Sequence, residues 1–152
     1  MNTPLELPRL LDESSDRANP GAEEIRDLLE RARRIAVIGL SRFPEKPARR
    51  VPAYLAAKGY EIIPVNPNAD HILGKKALAR IEDVPGPLDV VMIFRPSAEA
   101  GAFVRDAAAR PEHPAIWLAE GIRADAEIAA ARAEGITAVQ DLCAYKAHRA
   151  AF

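Results

Sequence analysis

Short apolar segments alternate along the chain with amphipathic ones. Five apolar runs, most of them rich in Val and Ile, lie at 34–39, 60–65, 88–94, 115–118 and 136–139. They are nearly continuous in apolar residues, which is typical of strands buried on both faces of a parallel sheet. Most are separated by segments of about a dozen residues with helical spacing. This pattern predicts repeated β–α–β units.

The segments with helical spacing predict helices near 22–32, 48–58, 97–110 and 124–134. Proline is comfortable only in the first helical turn, so Pro52 implies that the second helix either starts near Arg50 or is kinked. A short connector with a turn at Gly74 is expected after the second apolar run, and the tail from Asp141 to Phe152 is expected to be a short helix or an edge segment. Crossovers between parallel strands are right-handed, so these elements predict an α/β, Rossmann-like, open doubly wound parallel five-stranded sheet with helices on both faces.

The start of the chain follows a different pattern. Its first residues are polar, flanked by prolines, and show no sustained hydrophobic period. We therefore expect residues 1–20 to form a flexible N-terminal arm and residues 21–152 to form a single domain. A length of 152 residues suits one hydrophobic core.

Composition narrows the range of partners. The chain has 21 Lys and Arg against 22 Asp and Glu, so no net positive charge is available to bind a nucleic acid. No apolar run approaches the roughly 18–20 residues of a membrane helix, and the acidic start lacks the apolar region of a secretion signal. The single cysteine, Cys143, fits a reducing compartment. We expect a cytoplasmic protein that binds a small molecule, with a homo-oligomer or a protein partner left open.

Open parallel sheets bind ligands beyond the carboxyl ends of their strands, where the strand order reverses. The first strand ends at Gly39, and Ser41 stands where a dinucleotide-binding GxGxxG motif has its second glycine. The second strand ends in Asn66, where NAD-binding chains usually carry an acid. NAD is therefore disfavoured. The loop after the first strand carries more cations than acids, which favours a polyanionic ligand over a merely solvated loop; its charged residues are Arg42, Lys46, Arg49, Arg50 and Glu45.

No catalytic pattern stands out. His71, His113 and His148 lack the spacing of metal ligands, and no GxSxG motif is present. Cys143 lies close in sequence to Asp141 and His148, but a lone cysteine at the end of a strand is more often structural than nucleophilic. We expect binding rather than catalysis, with no catalytic or metal-ligating residue.

Several motifs together resemble the stand-alone CoA-binding domain family and, in part, the nucleotide-binding half of the succinyl-CoA synthetase alpha subunit. The resemblance covers about residues 30–150 and rests on Gly39-Leu40-Ser41, Lys46-Pro47, Gly59-Tyr60, Pro64-Val65-Asn66-Pro67, Phe94-Arg95-Pro96, Trp117, Glu120-Gly121-Ile122 and Asp141-x-Cys143. It implies a Rossmann-like fold that binds coenzyme A or an acyl-CoA without demonstrated catalysis. Members often carry serine where this chain has Ala48, so a hydroxyl contact at that position is absent here.

The resemblance also implies roles for individual residues. Gly39, Leu40 and Ser41 would approach the diphosphate, and Lys46 and Arg49 would neutralise phosphates, including the 3′-phosphate. Val65, Asn66 and Pro67 would line the adenosine end. Phe94 and Arg95 would face the crevice, with a core position for Phe94 left open, and Gly121 would approach the pantetheine arm. Trp117, in the middle of a buried strand, is expected in the core rather than as a stacking surface. Two alternatives stay open: a small NAD(P)-binding oxidoreductase or redox sensor, and a CoA-holding subunit of an acyl-CoA synthetase-like complex.

Overall fold

The computed structural model describes residues 6–152. Its helices are α1 (Glu6–Glu13), α2 (Ala22–Arg31), α3 (Pro47–Ala57), α4 (Ser97–Ala108), α5 (Asp125–Ala133) and α6 (Ala144–Ala151). Its strands are β1 (Arg34–Ile38), β2 (Glu61–Val65), β3 (His71–Ile72), β4 (Lys75–Lys76), β5 (Val90–Ile93), β6 (Ala115–Leu118) and β7 (Ala138–Val139). A short 3₁₀ helix covers Ile81–Asp83.

The main sheet has five parallel strands in the order β2-β1-β5-β6-β7. This confirms the predicted α/β, Rossmann-like architecture, including a helix rather than an edge segment in the tail. The chain moves outward from β1 to β2 and then returns to the other side of β1 with β5. The strand order therefore reverses between β1 and β5, which is where folds of this kind bind their ligands.

Both faces of the sheet are buried, which explains the continuous apolar runs. Side chains alternate between the two faces, so Val37 and Met92 pack in one core cluster while Ile38 and Ile93 pack in the other. The first cluster contains apolar residues of α1, α2, α3 and α6, and the second contains those of α4 and α5. A strand between two helical layers needs apolar residues at every position.

Helix α3 begins at Pro47, close to the predicted start at 48; of the two alternatives raised by Pro52, the start near Arg50 is therefore wrong, and Pro52 lies inside the helix. A proline has no N–H, and Pro52 therefore leaves the carbonyl of Ala48 without its usual donor. The N–H of Ser41 takes that place and donates to the Ala48 carbonyl at 3.1 Å. The proline thus frees an acceptor that ties the loop after β1 to the first turn of α3.

The N-terminal segment differs from the expected flexible arm. Helix α1 packs against α6 and buries Leu7, and the residues after it continue into a polar network. Gln140 lies at the centre of that network: its Nε2 donates to Asp16 Oδ2 at 3.0 Å, and its carbonyl accepts from Asn19 Nδ2 at 2.9 Å. Residues 6–20 are therefore part of the folded body, while residues 1–5 lie outside the described chain.

A small antiparallel hairpin follows β2, where the sequence pattern indicated only a connector with a turn at Gly74. Strands β3 and β4 pair through Ile72 and Lys75, with Leu73 and Gly74 both at positive φ in the turn. Leu78 then bonds to the backbone beside Val65, since its N–H donates to the Pro64 carbonyl at 2.9 Å. This segment covers the end of the sheet's edge strand.

Candidate functional site

The carboxyl ends of β1 and β5 form the centre of the candidate site. Gly39 directly follows β1 with φ at +84°, and its N–H donates to the Val65 carbonyl at 3.0 Å. A Cβ at this position would lie 2.6 Å from the carbonyl oxygen of Phe94 and 3.0 Å from Cδ of Arg95. Only glycine lets the two strand ends come this close. A cavity opens on each side of this junction.

The cavity on the β2 side has a volume of about 370 Å³. The ends of β1 and β2, the 3₁₀ helix and α4 form its walls, and the side chains that bring charge or hydrogen-bonding groups to it are those of Asn66, Asn68, Arg80, Glu82, Arg95 and Asp106. Burial raises the pKa of the Asp106 carboxyl, and the nearby Glu82 raises it further. This β2-side cavity therefore combines cations, amides and a carboxyl that protonates more readily than usual.

The cavity on the β6 side is larger, at about 630 Å³. The first turn of α3, the ends of β5 and β6, and the start of α6 surround it, and its apolar lining includes Val51, Met92, Phe94, Trp117 and Ile122. Lys46, Arg95 and Glu120 supply its charged groups. This β6-side cavity thus offers an apolar chamber with charge placed on a few side chains.

Arg95 lines both cavities and is the side chain that joins them. Its Nη2 donates to Glu99 Oε1 at 2.6 Å, one turn along α4. Its Nε is buried and has no hydrogen-bond partner among the described residues. A buried N–H without an acceptor costs free energy, and an anionic oxygen at the junction would remove that cost. The position of Arg95 therefore suits an anion bound between the cavities.

The loop after β1 is held by contacts within the protein. The Leu40 side chain is fully buried, and the Ser41 hydroxyl accepts the N–H of Phe43 at 3.0 Å. Arg49 Nη1 donates to the Arg42 carbonyl at 3.2 Å. These groups give the loop its shape, and Lys46 is the cation of this loop that lines a cavity.

Asn66 connects the ends of β1 and β2. Its Nδ2 donates to the Leu40 carbonyl at 3.1 Å, and its Oδ1 accepts the N–H of Asn68 at 2.9 Å. Both ends of the amide are thus engaged in holding the wall of the β2-side cavity. An acid at this position would lack the donor that Leu40 requires.

The structure brings most of the expected binding residues together. On the β2-side cavity lie Gly39, Val65, Asn66, Pro67 and Arg95; on the β6-side cavity lie Lys46, Phe94, Arg95 and Gly121. Leu40, Ser41 and Arg49 line neither cavity. The role of each of the expected residues as a ligand contact stays a prediction.

Other lining residues were not singled out as ligand contacts from the sequence. Arg80 immediately precedes the 3₁₀ helix, Glu82 lies on it and Asp106 lies on α4. None of the three lies at the carboxyl end of a strand of the main sheet. Trp117, which the sequence favoured as a core residue, is 1% exposed and also lines the β6-side cavity. Cys143, expected to be structural or peripheral, lies on the same cavity.

Two further features of residues 6–152 bear on the site. Within this range no group of three or more His, Cys, Asp or Glu side chains is arranged to hold a metal ion. None of the helices in the same range is both long enough and apolar enough to span a membrane.

Comparison with known proteins places this geometry in context. A family model described as a CoA binding domain matches residues 33–149. The uncharacterized protein YneT of Bacillus subtilis is 36% identical over 130 residues, which cover 86% of this chain and 96% of YneT. The ADP-forming acetate–CoA ligase II of Archaeoglobus fulgidus is 32% identical over 106 residues, or 68% of this chain but 16% of the ligase. A solved Thermus thermophilus structure, cell-free ID.343, matches with a TM-score of 0.82 and 33% identity, covering 88% of this chain and 100% of that one.

Proposed function

The chain belongs to the CoA-binding domain family, and from this premise we propose that it binds coenzyme A or an acyl-CoA across the two cavities. The observation that carries the proposal is Arg95, which lines both cavities and keeps a buried Nε without a partner in the described chain. Coenzyme A has a nucleotide at one end, a thiol arm at the other and a diphosphate between them. Its three parts correspond to the two cavities and their junction.

The diphosphate is assigned to the junction. Arg95 offers it a guanidinium whose Nε lacks an acceptor, and Lys46 lies on the neighbouring cavity. Guanidinium groups bind phosphate oxygens through charge-assisted hydrogen bonds, which are about twice as strong as neutral ones. Glu99 now occupies Nη2 of Arg95, and a diphosphate would compete with it.

The adenosine end is assigned to the β2-side cavity. Val65, Asn66 and Pro67 lie there, as the family resemblance implies for the adenosine. Arg80 adds a cation to the same cavity, and its ion pair with Glu82 is long, at 3.7 Å, and exposed. We assign the 3′-phosphate to Arg80, because Arg49 is engaged with the Arg42 carbonyl.

The pantetheine arm, with any acyl group, is assigned to the β6-side cavity. Its apolar lining matches the aliphatic parts of the arm, since burial of apolar surface contributes about 25 cal/mol per Å². Gly121 lines this cavity with φ at +83°, and no atom lies within 4 Å of the position of its missing Cβ. The space beside it is open to a ligand chain.

Replacing Arg95 by alanine tests this assignment. One lost charge-assisted hydrogen bond is worth about 1.5–3 kcal/mol, so calorimetric titration of Arg95→Ala with coenzyme A should show binding weakened about 10- to 150-fold. Arg105→Ala is the matched control, because Arg105 lies on α4, the helix that follows Arg95, but pairs with Glu127 at 3.0 Å and lines neither cavity. Equal affinities for Arg95→Ala and the wild type would overturn the assignment.

In the proposed form the chain binds its ligand without catalysing a reaction on it. A second candidate is a CoA-holding subunit that works with catalytic domains on other chains. The similarity to the acetate–CoA ligase, of which the chain spans 16%, favours this candidate. A stable partner recovered in a pull-down, with ligase activity that appears only in the joint preparation, would establish the second candidate over the first.

A further inference from the structure

The turn that contains Asp141 and Cys143 holds one wall of the β6-side cavity. Asp141 follows β7 with φ at +54°. Its N–H donates to the Ile122 carbonyl at 3.1 Å, and its Oδ1 accepts the N–H of Gly121 at 2.6 Å. One residue therefore fixes two consecutive residues of the cavity wall.

The wall needs such a restraint at Gly121. Glycine adopts positive and negative φ with similar ease, and no packed neighbour limits the backbone here, since nothing lies within 4 Å of the missing Cβ. On the far side of the wall, the N–H of Arg123 donates to the Ser97 hydroxyl at 3.1 Å. Within the segment, the N–H of Ile122 donates to the Ala119 carbonyl at 3.0 Å and closes a turn around Gly121. The carboxylate of Asp141 adds a second restraint to this turn, from outside it.

The N-terminal segment supports Asp141 from behind. The other carboxylate oxygen, Oδ2, accepts the N–H of Ser15 at 2.7 Å and the Ser15 hydroxyl at 2.6 Å. Arg123 Nη1 donates to the same hydroxyl at 2.8 Å. Burial acts to raise the pKa of Asp141, but the hydrogen bonds from Ser15 and Gly121 outweigh it and the pKa lies below its ordinary value. Asp141 is therefore an ionised acceptor between the N-terminal segment and the cavity wall.

We propose that Asp141 is a positioning residue for the thiol arm of the ligand. Ser15 holds the Asp141 carboxylate in place and so links the N-terminal segment to the same wall of the cavity. The inference rests on the proposed function, because it assigns the arm to the β6-side cavity. Asp141 lines neither cavity itself and acts through Gly121 and Ile122, which do. Loosening this wall should weaken binding of the arm and leave binding of the adenosine end unchanged.

The test compares two ligands on a set of variants. Coenzyme A fills both cavities, whereas adenosine 3′,5′-bisphosphate reaches only the β2-side cavity and the junction. Asp141→Gly keeps the positive φ but removes both acceptors, and it should weaken coenzyme A binding about tenfold with no change for the bisphosphate. Asp141→Asn retains an oxygen for the Gly121 N–H and tolerates the left-handed backbone, so it should restore much of the affinity.

Two more variants keep the test decisive if Asp141→Gly folds poorly. Ser15→Ala, at an exposed position, removes the hydroxyl that bonds to Asp141 and Arg123 but keeps the Ser15 N–H that bonds to Asp141. This partial loss of support should weaken coenzyme A binding about threefold. Asp16→Asn is the matched control: Asp16 belongs to the same N-terminal segment, but its carboxylate bonds to Gln140 and Arg132 rather than to Asp141. Asp16→Asn should leave the ratio of the affinities for coenzyme A and adenosine 3′,5′-bisphosphate as in the wild type.

The two levels of the argument fail in different ways. Normal wild-type binding of coenzyme A, with equal loss for both ligands or no loss in the Asp141→Gly and Ser15→Ala variants, would overturn the positioning role alone. No binding of coenzyme A by the wild type would overturn the proposed function, and the positioning role with it.

Discussion

Gly39 is the position where a single added methyl group tests the geometry of the site. Its φ of +84° lies in the left-handed region, and an added Cβ would lie 2.6 Å from the Phe94 carbonyl oxygen. Gly135 provides a matched control, because its φ is also +84° while nothing lies within 4 Å of its missing Cβ. Gly39→Ala adds backbone strain and a clash, and Gly135→Ala adds the strain alone.

The expected losses follow from these two contributions. A left-handed backbone costs a non-glycine residue about 1–2 kcal/mol, and forcing an extra carbon into a packed site costs about 1–3 kcal/mol more. The free energy of unfolding should therefore fall by about 2–5 kcal/mol in Gly39→Ala and by about 1–2 kcal/mol in Gly135→Ala. The atom that the added Cβ of Gly39→Ala would meet is the backbone oxygen of Phe94, which cannot rotate away as the end of a flexible side chain can.

Urea denaturation of the wild type and both variants measures these differences by linear extrapolation. In Gly39→Ala the clash can be relieved only if Phe94 and Arg95 move. This variant should therefore also bind coenzyme A more weakly, because Arg95 would leave the junction. Equal losses of stability in the two variants, within about 0.5 kcal/mol, would refute the close approach of β1 and β5.

Three other predictions concern the N-terminal segment, a buried histidine and the single tryptophan. Deleting residues 1–20 should lower the melting temperature by at least about 5 °C, since burial of Leu7 alone contributes about 1.5–3 kcal/mol; an unchanged value would contradict the docked α1. Burial, reinforced by Lys58, lowers the pKa of His148, so the folded chain binds fewer protons there and the free energy of unfolding should decline as the pH falls below about 6.5, a decline that a His148→Phe variant should lack. Trp117 fluorescence should change on saturation with coenzyme A but not with adenosine 3′,5′-bisphosphate. No change with either ligand would contradict the assignment of the thiol arm to the β6-side cavity.

The sheet was predictable because its signal is local. Each strand between two helical layers is apolar at nearly every position. Runs such as 34–39 and 115–118 can therefore be identified as strands without knowing which strands pair with them. Helix α1 was missed because it is only eight residues long, so that Leu7, Leu10 and Leu11 mark one face over barely two turns. Its segment is secured by Gln140, more than a hundred residues away in sequence. The turn at Gly74 was predictable, but the β3–β4 hairpin was not, because each strand has two residues and Leu73 takes a positive φ that leucine rarely adopts.

The candidate site was predictable where it lies at strand ends. Gly39 and Asn66 directly follow strands and Arg95 comes two residues after β5, so the rule for open parallel sheets points to them. Arg80 and Asp106 lie on the 3₁₀ helix segment and on α4, and only the folded chain brings them to the same cavity. The partner of Asp141 could not be inferred either, since its contact with Gly121 depends on where β7 places the following turn.

The central claim is that the site takes coenzyme A rather than a dinucleotide, and calorimetric titration of the wild-type chain tests it directly. Coenzyme A carries a 3′-phosphate and a thiol arm, 3′-dephospho-coenzyme A lacks the phosphate, and NAD lacks both. The affinity should rank coenzyme A first, dephospho-coenzyme A second and NAD last, with the first gap narrowing as salt screens the phosphate contacts. Equal or tighter binding of NAD would contradict the account and favour the oxidoreductase alternative.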